Sequence, residues 1–402
     1  MTSNGVFSGV RVIELAQYVF VPGASVLLAD QGAEVIKVET TGVGDPYRTL
    51  KVGDGREVGA TNLAMEQNNR GKKSIALDLK TEEGREALLK LVETADIFLT
   101  SLRPKAIRGL RLDVEDLRAR NPKIIYARGN GLGFKGPEAD KAGFDSSAFW
   151  ARGGMSHVFT IPGNQPTPPR PAFGDHSGSM SLAFAMASAL FKRAATGEPS
   201  VVETSLLATA VWMLSSDITY NQVPGYTVHG KGASRFPLMQ GYPSKDGRMI
   251  LLMLLDPRPH WPTLCRMLGL EELVNDPKFH DNEARIKNAD ELAGIIGGVI
   301  GAKDWSHWQP IFEAWDAPWE LVRNLDDVAT DPMALANEMI FPLTVGEDKI
   351  RVVSGPATFD GHAAPLDPKG SPGMGEHTEQ LLREAGYSAD AIAGLKARNI
   401  VQ

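Results

Sequence analysis

Up to about residue 130, short apolar runs alternate with longer stretches whose apolar positions recur at helical spacing. The run 10–15 predicts a buried strand, 22–31 a helix stopped by Gly32, and 34–39, Glu-Val-Ile-Lys-Val-Glu, a second strand. A strand, a helix and a strand within about 30 residues make a βαβ unit, whose crossover sets the two strands parallel. The alternation then continues, with a strand at 74–79, a helix at 82–94, a strand at 96–100, mostly helix over 105–120 and a strand at 123–128. This is the pattern of a doubly wound, Rossmann-like α/β domain.

Further along, Arg170-Pro-Ala-Phe-Gly-Asp-His-Ser-Gly-Ser-Met leads into an apolar helix. Met180, Ala183, Phe184, Ala187, Leu190, Phe191 and Ala194 recur at helical spacing, which predicts a core-facing stripe, and Gly197 supplies a stop. Asp175 stands at the start of that helix, where side-chain oxygens cap free N–H groups and the helix field favours a negative charge. Read alone, it is a cap or a chemical group. After 225 the pattern changes: 240–255 reads as a hairpin around Ser244-Lys-Asp-Gly-Arg, followed by helices at 261–268 and 282–300. These readings divide the chain into a large α/β domain over 1–200 and 330–402 and a smaller α+β domain over 225–325. Linkers are expected at 201–224 and 326–329. The segment 350–353 and helices at 376–385 and 389–397 are expected to return to the large domain.

A chain of 402 residues, 43% hydrophobic, can bury a large core. Its 42 basic and 49 acidic residues leave a net charge of −7, which argues against indiscriminate binding to nucleic acid or membranes. Cys265 is the single cysteine, so an intrachain disulfide, a thiolate zinc cluster and a Cys-X-X-Cys pair are excluded. The N-terminal residues lack a signal-peptide pattern and no apolar run of about 18 residues occurs, so a soluble, cytoplasmic protein is expected. The eight histidines form no H-x-x-x-H pair, which argues against a metal site. The turn after the first strand, Ala-Gln-Tyr-Val-Phe-Val-Pro-Gly-Ala-Ser, lacks G-x-G-x-x-G, and no G-x-x-x-x-G-K-[ST] loop is present. The usual dinucleotide and triphosphate sites are therefore missing. Basic residues nevertheless cluster where strands meet loops: Arg70, Lys72, Lys73 and Lys80 around one strand, and Arg103, Lys105, Arg108 and Arg111 after the next. Gathered at one end of a sheet, they would suit phosphates.

Several segments, in order, resemble the class III CoA-transferase family, the CaiB/BaiF type that includes formyl-CoA transferase. They are Gly9-Val-Arg-Val-Ile-Glu-Leu, Leu28-Ala-Asp-Gln-Gly-Ala-Glu-Val-Ile-Lys-Val-Glu, Gly44-Asp-Pro-Tyr-Arg, Asn69-Arg-Gly-Lys-Lys-Ser-Ile-Ala-Leu-Asp-Leu-Lys, Asn121-Pro-Lys-Ile-Ile-Tyr-Ala, Gly174-Asp, Arg193-Ala-Ala-Thr-Gly and Gly375-Glu-His-Thr-Glu-Gln-Leu-Leu. The resemblance implies reversible transfer of coenzyme A between two carboxylic acids. Asp175 falls on the family's nucleophile, and it would pass through aspartyl anhydride and aspartyl-CoA thioester intermediates. No tightly bound cofactor is implied; acyl-CoA and a free acid are the substrates, and an interlocked homodimer is expected.

Carried over residue by residue, the CoA contacts would come from Lys72 and Lys73, from Leu77, Asp78, Leu79 and Lys80, and from Ser101, Leu102, Arg103 and Arg108. Phe144 and Asp145 would lie beside the pantetheine. Val19 stands where formyl-CoA transferase has a glutamine, Thr40 where it has an adenine-stacking arginine, and 229–237, His-Gly-Lys-Gly-Ala-Ser-Arg-Phe-Pro, where it has four glycines. In that loop Gly230 and Gly232 would allow close packing, and Lys231 or Arg235 would meet a substrate carboxylate. Gly174 and Gly178 would leave room for a thioester, and His176 is read as pointing away from the chemistry. The related 2-methylacyl-CoA racemases carry Gly-His-Asp where this chain has Gly143-Phe144-Asp145, and phenylalanine moves no proton. A non-catalytic CoA-binding subunit is the other alternative. Phe149, Trp150 and Met155 would line a pocket for a bulky aryl, branched 2-hydroxy or bile acid.

Overall fold

A computed structural model of the chain describes residues 5–50, 57–58, 60–228, 236–363, 365 and 368–402. The chain divides into two compact units, Met1–His229 with Pro332–Gln402, and Gly230–Asp331. Among the described residues no helix is long and apolar enough to cross a membrane.

The first unit is built on six parallel strands: β1 (Arg11–Leu15), β2 (Glu34–Glu39), β3 (Lys73–Ala76), β4 (Ile97–Thr100), β5 (Ile125–Asn130) and β6 (Val201–Ser205). They lie in the order β3-β2-β1-β4-β5-β6. The order reverses between β1 and β4, where Val12 is in register with Ile97. Neighbouring residues on each strand enter opposite cores. Ile13, Ile36 and Phe98 pack with α3 (Glu82–Val92), α4 (Pro104–Leu110), α5 (Val114–Arg118) and the C-terminal helices Thr378–Glu384 and Ala389–Ala397. Val12, Val35 and Ile97 pack on the other face with α1 (Phe20–Ala29) and α6 (Phe173–Thr196), and α2 (Leu63–Asn69) lies against α1. Burial on both faces explains why the strands read as continuous apolar runs.

The second unit is a three-stranded antiparallel sheet, Gly241–Pro243, Met249–Leu252 and Trp319–Leu321, covered by helices that include Trp261–Leu268 and Ala289–Ile300. Its core gathers Leu264, Cys265, Ile296, Trp308 and Phe312. The turn between its first two strands uses Gly247 at φ +82, as expected for Asp-Gly.

Several expectations need correction. Residues 201–224 are not a linker, because Val201–Ser205 supplies β6, in register with β5, and Leu206–Met213 and Ser215–Tyr220 are helical. Residues 105–120 are mostly helical, as expected, and the helix comes in two pieces because Arg111 turns left-handed at φ +54 and a capping box at Asp113 starts the next. The apolar stripe of α6 is split: Ala183 and Leu190 pack against the core, whereas Phe184 is 76% and Phe191 77% exposed, and Met180 is also exposed. The buried face is instead Gly174, Gly178, Ser179, Leu182, Met186 and Ala189. Both sides of this helix are apolar, so periodicity located a stripe without showing which side packs inward. The small residues win that side because α1 lies close; a Cβ on Gly178 would come 2.6 Å from the Phe20 ring.

A charged cluster lies at the centre of this unit. Glu14 on β1 is fully buried and accepts from Lys37 at 3.0 Å, Lys72 at 2.8 Å and the Ser25 hydroxyl. Lys37 also pairs with Asp45 at 2.8 Å and donates to Ala16 O, and Lys72 donates to Pro22 O and Asn69 Oδ1. Burial pushes the Glu14 carboxyl up, but Lys72 and Lys37 outweigh it and hold it at about 2. Lys72 goes the other way, lowered to about 8 by its own burial against the pull of Glu14. A buried pair that loses one partner strands the other charge, at a cost of about 3–5 kcal/mol. Lys72→Met is therefore expected to lower unfolding free energy by about that amount in urea titration; a change below about 1 kcal/mol, as for an exposed pair, would contradict the ionic core.

Candidate active site

Two adjoining clefts open where the parallel strands end, the place at which loops of a doubly wound sheet leave a crevice. The larger, about 320 Å³, is lined by Gln17, Tyr18 and Phe20 after β1, by Ser101, Leu102 and Arg103 after β4, and by Gly129, Asn130 and Gly131 of β5 and its following loop. Lys141, Gly143 and Phe144 form another wall, and Asp175 stands in the same lining. The smaller, about 140 Å³, is lined by Thr40, Gly44 and Asp45 after β2, by Asp78, Leu79 and Lys80 after β3, and by Leu102 and Leu110. Gln17 and Leu102 line both, so the clefts meet at the reversal of strand order. The turn there is pinned by the Gln17 N–H, which donates to Ser101 Oγ at 3.0 Å.

Tyr18 adopts φ +66, a left-handed conformation that costs a non-glycine residue about 1–2 kcal/mol. Its N–H donates to Asp45 Oδ1 at 3.2 Å, and Asp45 is itself held by Lys37. The buried ionic cluster thus offsets the strain and aims the Tyr18 ring into the larger cleft. There it meets Phe144 edge-on at 5.5 Å and Tyr47 at 6.3 Å.

Asp175 lies in the first turn of α6 but caps nothing. The N-cap is Ala172, itself left-handed at φ +58, with no side-chain bond to the helix. The Gly174 N–H instead donates to Asp145 Oδ2 at 3.2 Å, so the capping oxygen comes from another element, the π-helical turn Asp145–Arg152. The cap expected of Asp175 belongs to Asp145, and the Asp175 carboxylate is left for the cleft. Burial pushes its pKa up to about 7, and the Asp145 charge adds to the rise. Asp145 is pushed to about 6 by burial, against the opposing N–H groups of Gly174 and Asp175. Asp175 in turn adds to the raised pKa of Tyr47, after burial. Beside it His176 Nε2 lies 3.0 Å from Asn68 Oδ1, and burial followed by the charge of Arg70 lowers its pKa. Ser179 Oγ bonds the Asp175 carbonyl at 2.9 Å and Phe20 O at 2.6 Å, fixing the first turn of α6 to α1.

The other residues singled out in the sequence go to different places. Asp78, Leu79, Lys80, Ser101, Leu102, Arg103 and Phe144 line the clefts. Lys73 and Arg108 are at the surface, paired with Glu34 and Asp140. Val19, Lys72 and Leu77 are enclosed in the protein, at 3%, 4% and 1% exposure, and line neither cleft. The Lys72 ammonium is consumed by Glu14, and Arg70 by a two-pronged pair with Asp30 at 3.0 and 2.6 Å. Asp145 lies behind the cleft wall. Phe149, Trp150 and Met155 are core, at 0%, 4% and 2% exposure. Gly174 and Gly178 serve packing: a Cβ on Gly174 would lie 2.3 Å from the Phe149 ring and 2.4 Å from Asp145 Oδ1. Gly230, Gly232, Lys231 and Arg235 lie outside the described residues. Sequence reading passed over Gln17, Tyr18, Tyr47 and Lys141. Adjacency to the end of a predicted strand was the one signal for Gln17 and Tyr18; Tyr47 stood within the family-like segment Gly44-Asp-Pro-Tyr-Arg, and Lys141 carried no signal.

The geometry is that of a crevice at the carboxyl ends of a parallel sheet, with basic side chains at its edge and one carboxylate of raised pKa inside. Comparison with known proteins agrees with it. The model of CoA-transferase family III matches residues 7–378. Cinnamoyl-CoA:phenyllactate CoA-transferase of Clostridium sporogenes is 33% identical, covering 98% of this chain and 97% of the relative. (R)-2-hydroxy-4-methylpentanoate CoA-transferase of Clostridioides difficile is 31% identical, covering 98% and 99%. The crystal structure of Rv3272 from Mycobacterium tuberculosis superposes with a TM-score of 0.81 at 29% identity, over 94% of this chain and 99% of that one. A match that runs through both units and includes the Asp175 helix identifies the chain as an enzyme of CoA-transferase family III.

Proposed function

We propose that the protein moves coenzyme A reversibly between two carboxylic acids, with Asp175 as the nucleophile. The observation that carries this reading is a half-buried carboxylate, its pKa raised to about 7, lining the end of a cleft that runs toward Arg103 and on to Lys80. Asp175 attacks the thioester carbonyl; the C–S bond breaks and the CoA thiolate leaves with its electron pair, giving a mixed anhydride. The thiolate then attacks the aspartyl carbonyl and releases the donor acid as a carboxylate. The acceptor carboxylate attacks this aspartyl thioester, the thiolate leaves again, and its attack on the second anhydride's acyl carbon frees Asp175. No net proton is consumed. The protein supplies a nucleophile poorly solvated before the substrate arrives and a cleft that keeps thiolate and carboxylates close.

The phosphates belong at the outer edge, near Lys80 and Arg103, and the pantetheine in the larger cleft. The aromatic edges of Tyr18 and Phe144 around Asp175 suit a bulky acyl group, aryl or branched, in line with the acids named for the two clostridial relatives. Racemisation is disfavoured because Phe144, which transfers no proton, occupies the wall where an opposing histidine would be needed. We further propose a homodimer. The outward apolar row Met180, Phe184 and Ala187 forms, with Leu27, Pro356 and Phe359, an almost wholly apolar groove of about 300 Å³.

Three outcomes are expected. Incubated with an arylacyl-CoA and a 2-hydroxy acid, the protein exchanges CoA between them, with kcat falling as pH drops below about 7 because Asp175 reacts only when ionised; Asp175→Asn abolishes exchange, and full activity in that variant would refute the assignment. Lys80→Ala and Arg103→Ala each raise KM for the acyl-CoA roughly fivefold at constant kcat, the size of about 1 kcal/mol from one charged contact at an open edge. Phe184→Glu turns a dimer into a monomer by sedimentation; a wild-type protein that is already monomeric contradicts the proposed association.

A further inference from the structure

Asp145 is the second carboxylate of this site, and nothing in the transfer chemistry above uses it. It is 8% exposed, and its Oδ2 holds the Gly174 N–H at 3.2 Å. Its Oδ1 is buried with no hydrogen-bond partner, in the space a Cβ on Gly174 would enter. A buried carboxylate oxygen without a donor is costly, and such groups in native proteins need an explanation. Capping alone does not supply one. Serine or asparagine would satisfy the Gly174 N–H, and stand near the Asp175 N–H that also acts on Asp145, without a second negative charge beside Asp175.

The geometry points to Asp145 as a positioning residue of the transfer reaction, one that ties down the first turn of α6 and confronts Asp175 with a second carboxylate, making the free nucleophile more reactive. This rests on Asp175 being the nucleophile. Each covalent intermediate converts the Asp175 carboxylate into a neutral anhydride or thioester, which removes one of two like charges. Asp145 therefore raises the energy of free Asp175 and leaves the acylated forms unaffected. The bond made is from Asp175 Oδ to the acyl carbon and the bond broken is C–S; Asp145 gives and takes no atom. Like charges in one buried site raise the basicity of the group that reacts, and basicity accompanies nucleophilicity.

The groups around the pair are known. Tyr47 faces Asp175 from the turn Pro46–Arg48, His176 follows it on α6 with Arg70 acting on that ring, and Lys141 and Arg103 line the same cleft. The two cations are surface-held, Lys141 by Glu138 at 2.6 Å and Arg103 by Asp140 O at 3.3 Å. Among the described residues, Asp145 is the carboxylate whose charge, after burial, adds to the raised Asp175 pKa.

The test is Asp145→Asn, which keeps an oxygen for the Gly174 N–H and removes the charge, with Asp145→Glu retaining the charge as a second variant. Thermal melting of each establishes that it folds. In Asp145→Asn the acid limb of the kcat profile moves down by about one pH unit, and kcat on the plateau falls about tenfold. Asp145→Glu keeps the limb in its original place. An unmoved limb with unchanged kcat in folded Asp145→Asn overturns the inference, as does a limb that follows His176→Gln instead. Asp175→Asn, measured alongside, separates the two readings. Inactive Asp175→Asn with an unmoved Asp145→Asn limb removes this inference alone, whereas active Asp175→Asn removes the nucleophile assignment and the inference with it.

Discussion

The arrangement at the site depends on the buried carboxylate of Glu14. It accepts from two lysines brought from β2 and from the start of β3, and from Ser25 on α1, so three elements of the first unit meet at one charge. From there the constraint passes outward. Lys37 holds Asp45, and Asp45 holds the Tyr18 and Tyr47 N–H groups; Tyr18 lines the cleft with Asp175, and Tyr47 packs against Tyr18 and feels the Asp175 charge. An uncharged core of equal volume would be as stable or more so. It would supply no acceptor in the right place to hold Tyr18 left-handed.

At Asp175 two influences oppose one another, and their sizes decide the outcome. The field at a helix N-terminus favours a carboxylate by about 0.3–1 kcal/mol, less than one pKa unit. Burial followed by Asp145 raises the pKa from 3.8 to about 7. Burial wins, and the helix start does not keep this aspartate an ordinary, well-solvated anion. Its neighbour Asp145 takes the cap instead, from 29 residues away in sequence.

Most of the fold was legible in the sequence because the strands are apolar runs and the helices between them periodic, and both signals are local. Strand boundaries at 34–39 and the helix at Trp261–Leu268 agree to the residue. What escaped depended on long-range partners. Phe184 and Phe191 look like core residues until the close approach of Phe20 to Gly178 selects the other face of α6. Lys72 looks like a phosphate contact until Glu14, 58 residues earlier, claims it. Val201–Ser205 was missed as a strand because it lies at the sheet edge beside β5 and carries Glu203 and Thr204, so it lacks the apolar run of the central strands. At the site, Asp175, Lys80 and Arg103 were found because a family motif or a strand end marks them. The left-handed turn at Tyr18 and the cap from Asp145 carry no sequence signal of their own.

Acylation of Asp175 itself can be measured directly: the protein is mixed with an acyl-CoA and quenched with hydroxylamine, and the peptide that contains Asp175 is weighed. An aspartyl hydroxamate is expected at that residue, formed only when acyl-CoA is present. An unmodified Asp175 peptide from protein that is turning over would contradict it.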